Sequence, residues 1–335
     1  MNRLLTIPIL VSFFVTLFLI FPWIRRAKNA GLVGRDINKI NGKKVAEAGG
    51  VTVVLGFALG ILVYIAINTF IFNKTDNFIE MFALMSCIFF IAFIAFTDDI
   101  LGWKIGLRRR TRVILVVFAS IPLIAINAGK SAMNLPFFGV LDIGVFYPLI
   151  LIPLGIVGAT TTYNFLAGFN GLEAGQGIIL LSALAIVSHF TGNSWLAVIA
   201  LCMVASLIAF LIFNFDPAVV FPGDSLTYPV GGLIAIMAIL GNFEKIAVFF
   251  FIPFVIEFFL KARGKFVKQS FGEPKKDGSL TLRYEKIYSL NHVAIKLMEK
   301  AGIKPTERKV VLSIWLFQIA IIVVGFFIFK RGIFG

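Results

Sequence analysis

Long runs of apolar residues, separated by short polar segments, make up most of the chain. A helix of about 20 apolar residues crosses the hydrocarbon core of a bilayer, and ten runs approach or exceed that length. They lie near residues 4–23, 48–72, 79–97, 112–128, 145–164, 176–191, 193–214, 226–241, 243–261 and 309–329. This pattern predicts an all-α polytopic integral membrane protein with about ten transmembrane helices, organised as a single domain over residues 1–335.

The residues between and within the runs refine this prediction. Only Thr191-Gly192-Asn193 separates the sixth run from the seventh, which predicts a tight helical hairpin. The eighth run is short and carries Pro229-Val230-Gly231-Gly232 near its start, so we expect it to tilt or to begin irregularly. The first run lacks an A-x-A cleavage site, and we expect it to be retained as a span.

Composition supports a membrane protein and excludes other classes. Hydrophobic residues make up 59% of the chain and charged residues 14%, against about a quarter charged in soluble domains. A soluble enzyme is not expected, and a disordered chain would be poor in apolar residues. Cys87 and Cys202 lie in apolar runs without CxxC spacing, so we expect neither a disulfide framework nor a zinc site.

The distribution of charge predicts the orientation in the membrane. Alternating the ten spans places loops 24–47, 98–111, 165–175, 215–225 and 262–308 on one side. Including helix ends, that side carries seven basic residues in its first loop, five in its second and thirteen in its last, 25 of the 31. The positive-inside rule then predicts that these loops are cytoplasmic and both termini outside. On a membrane protein the formal charge of +14 indicates anionic lipid or phosphate partners rather than nucleic acid.

Scarce acidic and amide side chains collect in these same loops. Asp98 and Asp99 end the third span, Asn164 ends the fifth, and Asp224 follows the seventh. Each has an ordinary alternative: interfacial capping for the aspartates at 98 and 99, helix-end hydrogen bonding for Asn164, and a turn for Asp224. The basic cluster 108–112 is by itself a positive-inside signal.

Considered together, these residues favour a catalytic site over the ordinary structural alternatives. An oxygen-rich set without Cys or paired His suits a hard cation such as Mg²⁺, which proteins bind through one or two carboxylates plus substrate phosphates. Such a site at a membrane surface indicates a lipid phosphate on one side and a nucleotide on the other. Elsewhere, the i,i+4 spacing of Glu257 and Lys261 predicts an ion pair, and His292 lies in a basic amphipathic stretch that we expect at the surface.

Several motifs resemble one family of membrane enzymes. The segments FTDDILGW at 96–103, NFLAGFNGLEAGQ at 164–176 and FPGDS at 221–225 resemble those of the polyprenyl-phosphate N-acetylhexosamine-1-phosphate transferases, over most of the chain from about Gly31. NGLEAGQ and the early EAGG at 47–50 are similar to the eukaryotic and archaeal branch, which acts on dolichyl phosphate. The family's histidine motif in the last cytoplasmic loop is absent here, where KQSFGEP stands at 268–274.

The resemblance implies ten transmembrane helices in a multi-pass protein of the plasma membrane, and a single catalytic domain with its active site on the cytoplasmic face. It implies transfer of N-acetylhexosamine-1-phosphate, foremost GlcNAc-1-phosphate, from a UDP-sugar to a polyprenyl or dolichyl phosphate with release of UMP. It also makes a homodimer an expectation.

The resemblance carries catalytic roles to five residues. Asn164 and Asp224 are similar to the family's Mg²⁺ ligands, with Mn²⁺ as an expected substitute. Asp98 and Asp99 resemble the catalytic pair, in which Asp98 deprotonates or orients the lipid phosphate and Asp99 helps to hold the site. Arg112 stands where the family often has Lys, and is expected to bind a phosphate, with altered geometry.

Five further residues are expected to bind substrate. The resemblance implies that Phe221 stacks on uracil, that Asn170 hydrogen-bonds to it, and that Glu47 contacts nucleotide or sugar. Lys265 and Lys268 are candidates for pyrophosphate or sugar contacts in the divergent last loop.

Two other classes of function compete with a transferase. A secondary transporter for anionic substrates predicts inverted repeats and broken helices near mid-membrane, whereas the acidic residues here lie at span ends. A non-catalytic scaffold would not need carboxylates in three separate loops.

Overall fold

The computed structural model describes residues 3–135 and 139–335, and this part of the chain is mostly helical. The helices are α1 (Thr6–Asn29), α2 (Gly50–Phe70), α3 (Phe78–Ile105), α4 (Arg109–Ala119), α5 (Ile121–Ala125), α6 (Ile152–Phe165), α7 (Leu172–Phe190), α8 (Ser194–Asn214), α9 (Asp224–Gly241), α10 (Glu244–Phe250), α11 (Ile252–Arg263), α12 (Leu290–Lys300), α13 (Glu307–Ile328) and α14 (Lys330–Phe334). A 3₁₀ turn at Arg3–Leu5 precedes α1, and a π-helical turn at Tyr147–Leu151 leads into α6.

Within the described residues, six short strands form three antiparallel hairpins. They are β1 (Val33–Arg35) with β2 (Lys44–Ala46), β3 (Ala132–Leu135) with β4 (Gly139–Asp142), and β5 (Glu273–Pro274) with β6 (Leu280–Thr281). The first hairpin is attached to the segment before α9, because the N–H of Phe221 donates to the carbonyl of Ala46 at 2.7 Å. This contact brings the loop 24–47 to the start of α9.

Eight helical segments of the described chain are long and apolar enough to cross a membrane. They coincide with the first three, the fifth to the eighth, and the last of the ten predicted runs, which confirms a polytopic helical protein. The fourth and ninth runs are each divided into two shorter helices. α4 gives way to α5 at Ser120, with Pro122 in the first turn of α5, and α10 gives way to α11 at Phe251, followed by Pro253. Proline lacks the N–H that would continue a helix, so the helix restarts at both places.

Four helices form the centre of the bundle. Between 67% and 89% of the spanning windows of α2, α7, α8 and α9 is buried, against 22–44% for the other four spans. The turn between α7 and α8 is closed by the N–H of Asn193, which donates to the carbonyl of Ser188 at 2.8 Å, and this confirms the predicted tight hairpin. α9 runs as one helix through Pro229, and the irregular backbone lies just before it at Gly223, where φ is 67°.

The last loop is folded against the bundle, so the surface prediction for His292 is wrong. His292 is only 1% exposed, and both of its ring nitrogens have protein partners: one accepts from the N–H of Tyr288 at 3.3 Å and the other lies 3.2 Å from the carbonyl of Phe271. Burial lowers the pKa of its imidazole. The predicted pair of Glu257 and Lys261 is confirmed at 3.9 Å, and Glu257 also accepts from the N–H at the start of α12.

Candidate active site

Four helix ends bring the predicted polar residues together. Asp98 and Asp99 lie near the end of α3, Arg112 lies in the first turn of α4, Asn164 lies near the end of α6, and Asp224 begins α9. We call these five residues the Asp98–Asp224 cluster. The chain passes from α3 to α4 through a bend at Gly102, whose φ of 67° requires glycine.

Asp99 fixes the start of α9. Its Oδ1 accepts from the N–H of Asp224 at 2.9 Å, and its Oδ2 accepts from the N–H of Ser225 at 3.0 Å. The first N–H groups of a helix have no partner within it and carry partial positive charge, so a carboxylate there stabilises the helix end. Asp99 therefore sets the position of Asp224.

Arg112 joins two carboxylates from different helices. Its Nη1 lies 3.1 Å from Oδ2 of Asp98 and contacts Oδ2 of Asp224. The other oxygen of Asp98 accepts from the N–H of Leu107 at 2.5 Å, which holds the bend that leads into α4. Two carboxylate oxygens therefore converge on one cationic nitrogen, and Nε of Arg112 is buried with no hydrogen-bond partner among the described residues.

Asn164 of α6 hydrogen-bonds to α9, the helix that begins at Asp224. Its Oδ1 accepts from the hydroxyl of Thr227 at 2.8 Å. The donor set is therefore carboxylate and amide oxygen, which fits a hard divalent cation. Within residues 3–135 and 139–335, no group of three or more His, Cys, Asp or Glu side chains is placed to hold a metal, so a cation here would also need ligands from the substrate.

Glu47 and Phe221 meet over Gly34 of β1. A Cβ built on Gly34 would lie 2.2 Å from Oε1 of Glu47 and 3.2 Å from the ring of Phe221, so both side chains pack against Gly34 in a way that only glycine permits. Burial raises the pKa of Glu47. A Cβ on Gly223 would lie 2.3 Å from Asp99 and 3.0 Å from the backbone of Ala48, so Asp99 of the Asp98–Asp224 cluster packs against the backbone two residues after Phe221.

Asn170 lies in a second polar cluster that sequence reasoning missed. Its Nδ2 donates to Oδ2 of Asp36 at 3.0 Å, and its N–H donates to Oε1 of Glu307 at 2.8 Å. Lys39 contacts Asp36, Asp216 and Glu307. We call these five residues the Asp36 cluster. The spacing of Asp36 and Lys39 was the only local signal, because the other members are more than 100 residues away.

Charge pairing in the Asp36 cluster opposes the effect of burial. Burial acts to lower the pKa of Lys39, but its hydrogen bond to Asp216 and the charge of Glu307 hold that pKa above the usual value. Burial likewise acts to raise the pKa of Asp216, and the hydrogen bonds and charges of Lys39 and Arg308 bring it below the usual value. The cluster therefore joins the first, third and fourth predicted loops to the start of α13.

Lys265 and Lys268 are exposed, and no described contact joins them to either cluster. The ammonium of Lys268 lies 4.8 Å from the ring centroid of Tyr284, a cation–π contact. Lys265 precedes Phe266, whose carbonyl accepts from Arg109 at 2.6 Å. The last loop is thereby tied to the start of α4, three residues before Arg112.

An apolar groove of about 540 Å³ opens between α6, α9 and the divided helix α10–α11. Gly155, Gly158 and Thr162 line it on α6, and Phe258 and Phe259 line it on α11. Thr162 precedes Asn164 by two residues, so the groove leads along α6 towards the Asp98–Asp224 cluster.

A helical membrane bundle with converging polar helix ends beside an apolar groove defines a membrane protein able to hold an amphiphilic anion. A family model described as glycosyl transferase family 4 matches residues 81–242. Over 311 residues, 92% of each chain, the protein is 37% identical to a putative UDP-N-acetylglucosamine–dolichyl-phosphate N-acetylglucosaminephosphotransferase of Saccharolobus solfataricus. The chain belongs to glycosyl transferase family 4, which confirms the resemblance, and it is a multi-pass membrane protein.

More distant relatives extend across domains of life. The UDP-N-acetylglucosamine–dolichyl-phosphate N-acetylglucosaminephosphotransferase of Dictyostelium discoideum is 32% identical over 267 residues, 68% of this chain and 64% of that relative. A phospho-N-acetylmuramoyl-pentapeptide-transferase of Halalkalibacterium halodurans is 30% identical over 271 residues, 77% of this chain and 81% of that relative.

Proposed function

We propose that this protein transfers GlcNAc-1-phosphate from UDP-GlcNAc to a dolichyl or related polyprenyl phosphate and releases UMP. The observation that carries the proposal is the convergence of Asp98, Arg112 and Asp224 next to an apolar groove. The names of the relatives from Saccharolobus and Dictyostelium support the same donor and acceptor. The reaction is the first step in assembling a lipid-linked glycan.

In the proposed reaction an oxygen of the lipid phosphate attacks the β-phosphorus of UDP-GlcNAc. A P–O bond forms there, the bond from that phosphorus to the bridging oxygen breaks, and UMP leaves with the electron pair. The product is a lipid pyrophosphate that carries the sugar. Both reactants are anionic, so their approach requires positive charge at the site.

The chain's own groups fit these needs. Arg112 offers a buried Nε without a protein partner, which suits a phosphate oxygen. Asp98 lies 3.1 Å from the same guanidinium, where it can orient or deprotonate the lipid phosphate. Asp224 and Asn164 would hold Mg²⁺, or Mn²⁺ in its place, and the ion when bound supplies charge that offsets the donor pyrophosphate.

The remaining residues bind the substrates. Phe221 and Asn170 take the uracil, Glu47 faces the nucleotide or sugar, and Lys265 and Lys268 lie in a loop tied to α4, from which they reach the pyrophosphate or sugar. The groove takes the polyprenyl tail, because its lining is almost wholly apolar and it leads to the cluster.

We propose ten spans, with α4–α5 and α10–α11 as the fourth and ninth, both termini outside and the active site in the cytoplasm. The 25 basic residues on one side support this orientation. We further propose that the protein lies in the plasma membrane, forms a homodimer and comprises one catalytic domain.

Purified protein in detergent with UDP-GlcNAc, Mg²⁺ and dolichyl phosphate tests the proposal through UMP release and mass spectrometry of the lipid product. We expect UMP from the wild type and none from Asp224→Asn. Asp277→Asn is the matched control, because Asp277 is exposed and pairs with Lys304 at 3.0 Å in the last loop. Absence of UMP with a panel of UDP-sugars and polyprenyl phosphates would refute the function.

A further inference from the structure

We propose that Asp36 is a positioning residue that holds the amide of Asn170 in one orientation and so makes the nucleotide site select uracil over cytosine. The inference rests on the proposed function, because it takes Asn170 as the residue that contacts the base. Asp36 itself would not touch the nucleotide.

The hydrogen bonds determine which way the amide faces. Oδ2 of Asp36 lies 3.0 Å from Nδ2 of Asn170, and an ionised carboxylate can only accept. The amide nitrogen of Asn170 must therefore face Asp36, and its Oδ1 must face away. Among the described residues, no group donates a hydrogen bond to this Oδ1.

Neighbouring contacts hold both partners in place. The N–H of Asn170 donates to Glu307 at 2.8 Å, which fixes the backbone. Oδ1 of Asp36 accepts from the N–H of Asn38 at 3.3 Å, and Lys39 places its ammonium 3.0 Å from Oδ2. Asp36 is only 6% exposed, so water does not compete freely for its oxygens.

The first hairpin places this pair near the proposed base site. Side chains two residues apart on a strand point to the same face, about 7 Å apart. The N–H of Asp36 continues the strand pairing with the carbonyl of Lys43 at 3.4 Å, so Asp36 lies on the same face as Gly34. A Cβ on Gly34 would lie 3.2 Å from the ring of Phe221, so this ring packs beside Gly34. A base stacked on Phe221 can thus present its edge to Asn170.

The chemistry of the two pyrimidines then separates them. Uracil carries a hydrogen on N3 and donates to a fixed acceptor oxygen, whereas N3 of cytosine is itself an acceptor. For Asn170 to pair at N3 of cytosine, its NH₂ would have to turn outward and its oxygen towards Asp36, which would place two acceptors in contact. The geometry therefore disfavours cytosine because Asp36, which does not touch the base, fixes the orientation of Asn170, which does.

Binding of UMP and CMP, measured by calorimetry on the purified full-length protein, tests the inference apart from catalysis. We expect the wild type to bind UMP at least about tenfold more tightly than CMP, since a site built around one hydrogen-bonding pattern rejects the other. Asp36→Asn offers an NH₂ that can donate to Oδ1 of Asn170 when the Asn170 amide turns round. We therefore expect the preference for UMP over CMP to fall to within about threefold. Asp36→Ser, whose hydroxyl donates or accepts, provides a second variant in case the first does not fold. Asp36→Glu keeps an acceptor-only group and is expected to restore much of the preference.

Asp216→Asn is the matched control. It also removes a carboxylate partner of Lys39, but no contact joins Asp216 to Asn170 in the described part of the chain, and we expect the UMP preference to stay at the wild-type value. A wild-type preference in a folded Asp36→Asn or Asp36→Ser variant would overturn the role of Asp36. A wild-type preference in Asn170→Ala would instead overturn the assignment of Asn170, and failure of the wild type to transfer sugar phosphate would refute the proposed function alone.

Discussion

Asp99 holds two backbone N–H groups at the start of α9, and Asp99→Asn tests whether the position of Asp224 depends on that contact. A carboxamide has one acceptor oxygen, so one of the N–H groups of Asp224 and Ser225, at 2.9 and 3.0 Å in the wild type, would face an NH₂. A buried donor left without a partner costs about 1–3 kcal/mol. Loss of the negative charge at the helix N-terminus adds about 0.3–1 kcal/mol.

A displacement of Asp224 that costs the transition state a similar free energy strongly slows the reaction. About 2.7 kcal/mol corresponds to a hundredfold change in rate, and we expect UMP release by Asp99→Asn to fall at least about 100-fold. We also expect a lower melting temperature in detergent, measured by tryptophan fluorescence, because α9 is at the centre of the bundle. Asp277→Asn, far along the chain in an exposed pair, is expected to change neither quantity. A correctly inserted Asp99→Asn protein with wild-type transfer and wild-type melting would contradict the capping role of Asp99.

Three further predictions concern other parts of the molecule. Gly34→Ala places a methyl group against Glu47 and Phe221, and we expect the KM for UDP-GlcNAc to rise about tenfold. Gly332→Ala, at a position where no described atom lies within 4 Å of an added Cβ, is expected to leave that KM unchanged. An unchanged KM in Gly34→Ala would argue against a nucleotide site beside Gly34. Gly158 lines the groove, and no described atom lies within 4 Å of a Cβ added there. We expect Gly158→Leu to narrow the groove and to raise the KM for dolichyl phosphate with unchanged UMP binding. An unchanged KM for dolichyl phosphate in Gly158→Leu would exclude the groove as the lipid site. The pKa of Asp216 lies below its usual value, so its pairing stabilises the fold above the unfolded value of about 3.9 and is lost as pH falls through the folded value. Asp216→Asn is therefore expected to melt lower than the wild type at pH 7, with the difference shrinking below about pH 3.9, and a difference independent of pH would contradict the ion pairing.

Local sequence was enough to predict most helices, because the length of an apolar run reports the thickness that the helix must cross. It did not predict where two of those runs divide into separate helices, although Pro122 and Pro253 lie at the two breaks. A proline inside an apolar run can either kink a continuous helix or end it, and local sequence does not distinguish the two outcomes. His292 was misplaced for a related reason. Its basic amphipathic stretch looked like a surface helix, while the burial of its ring depends on Phe271 and Tyr288 in the folded last loop.

The sequence alone determined the class of the molecule, a polytopic helical membrane protein, and it identified Asp98, Asp99, Asn164 and Asp224 through motifs at the ends of apolar runs. Only the tertiary structure decided that Asp99 caps the helix of Asp224, that Arg112 joins Asp98 to Asp224, and that Asp36 holds Asn170. The physical reason is range. An apolar run and a helix end are defined by neighbouring residues, whereas each of these contacts, apart from the Asp98–Arg112 pair, joins residues more than 100 positions apart, and no local pattern records which distant partner a polar side chain meets.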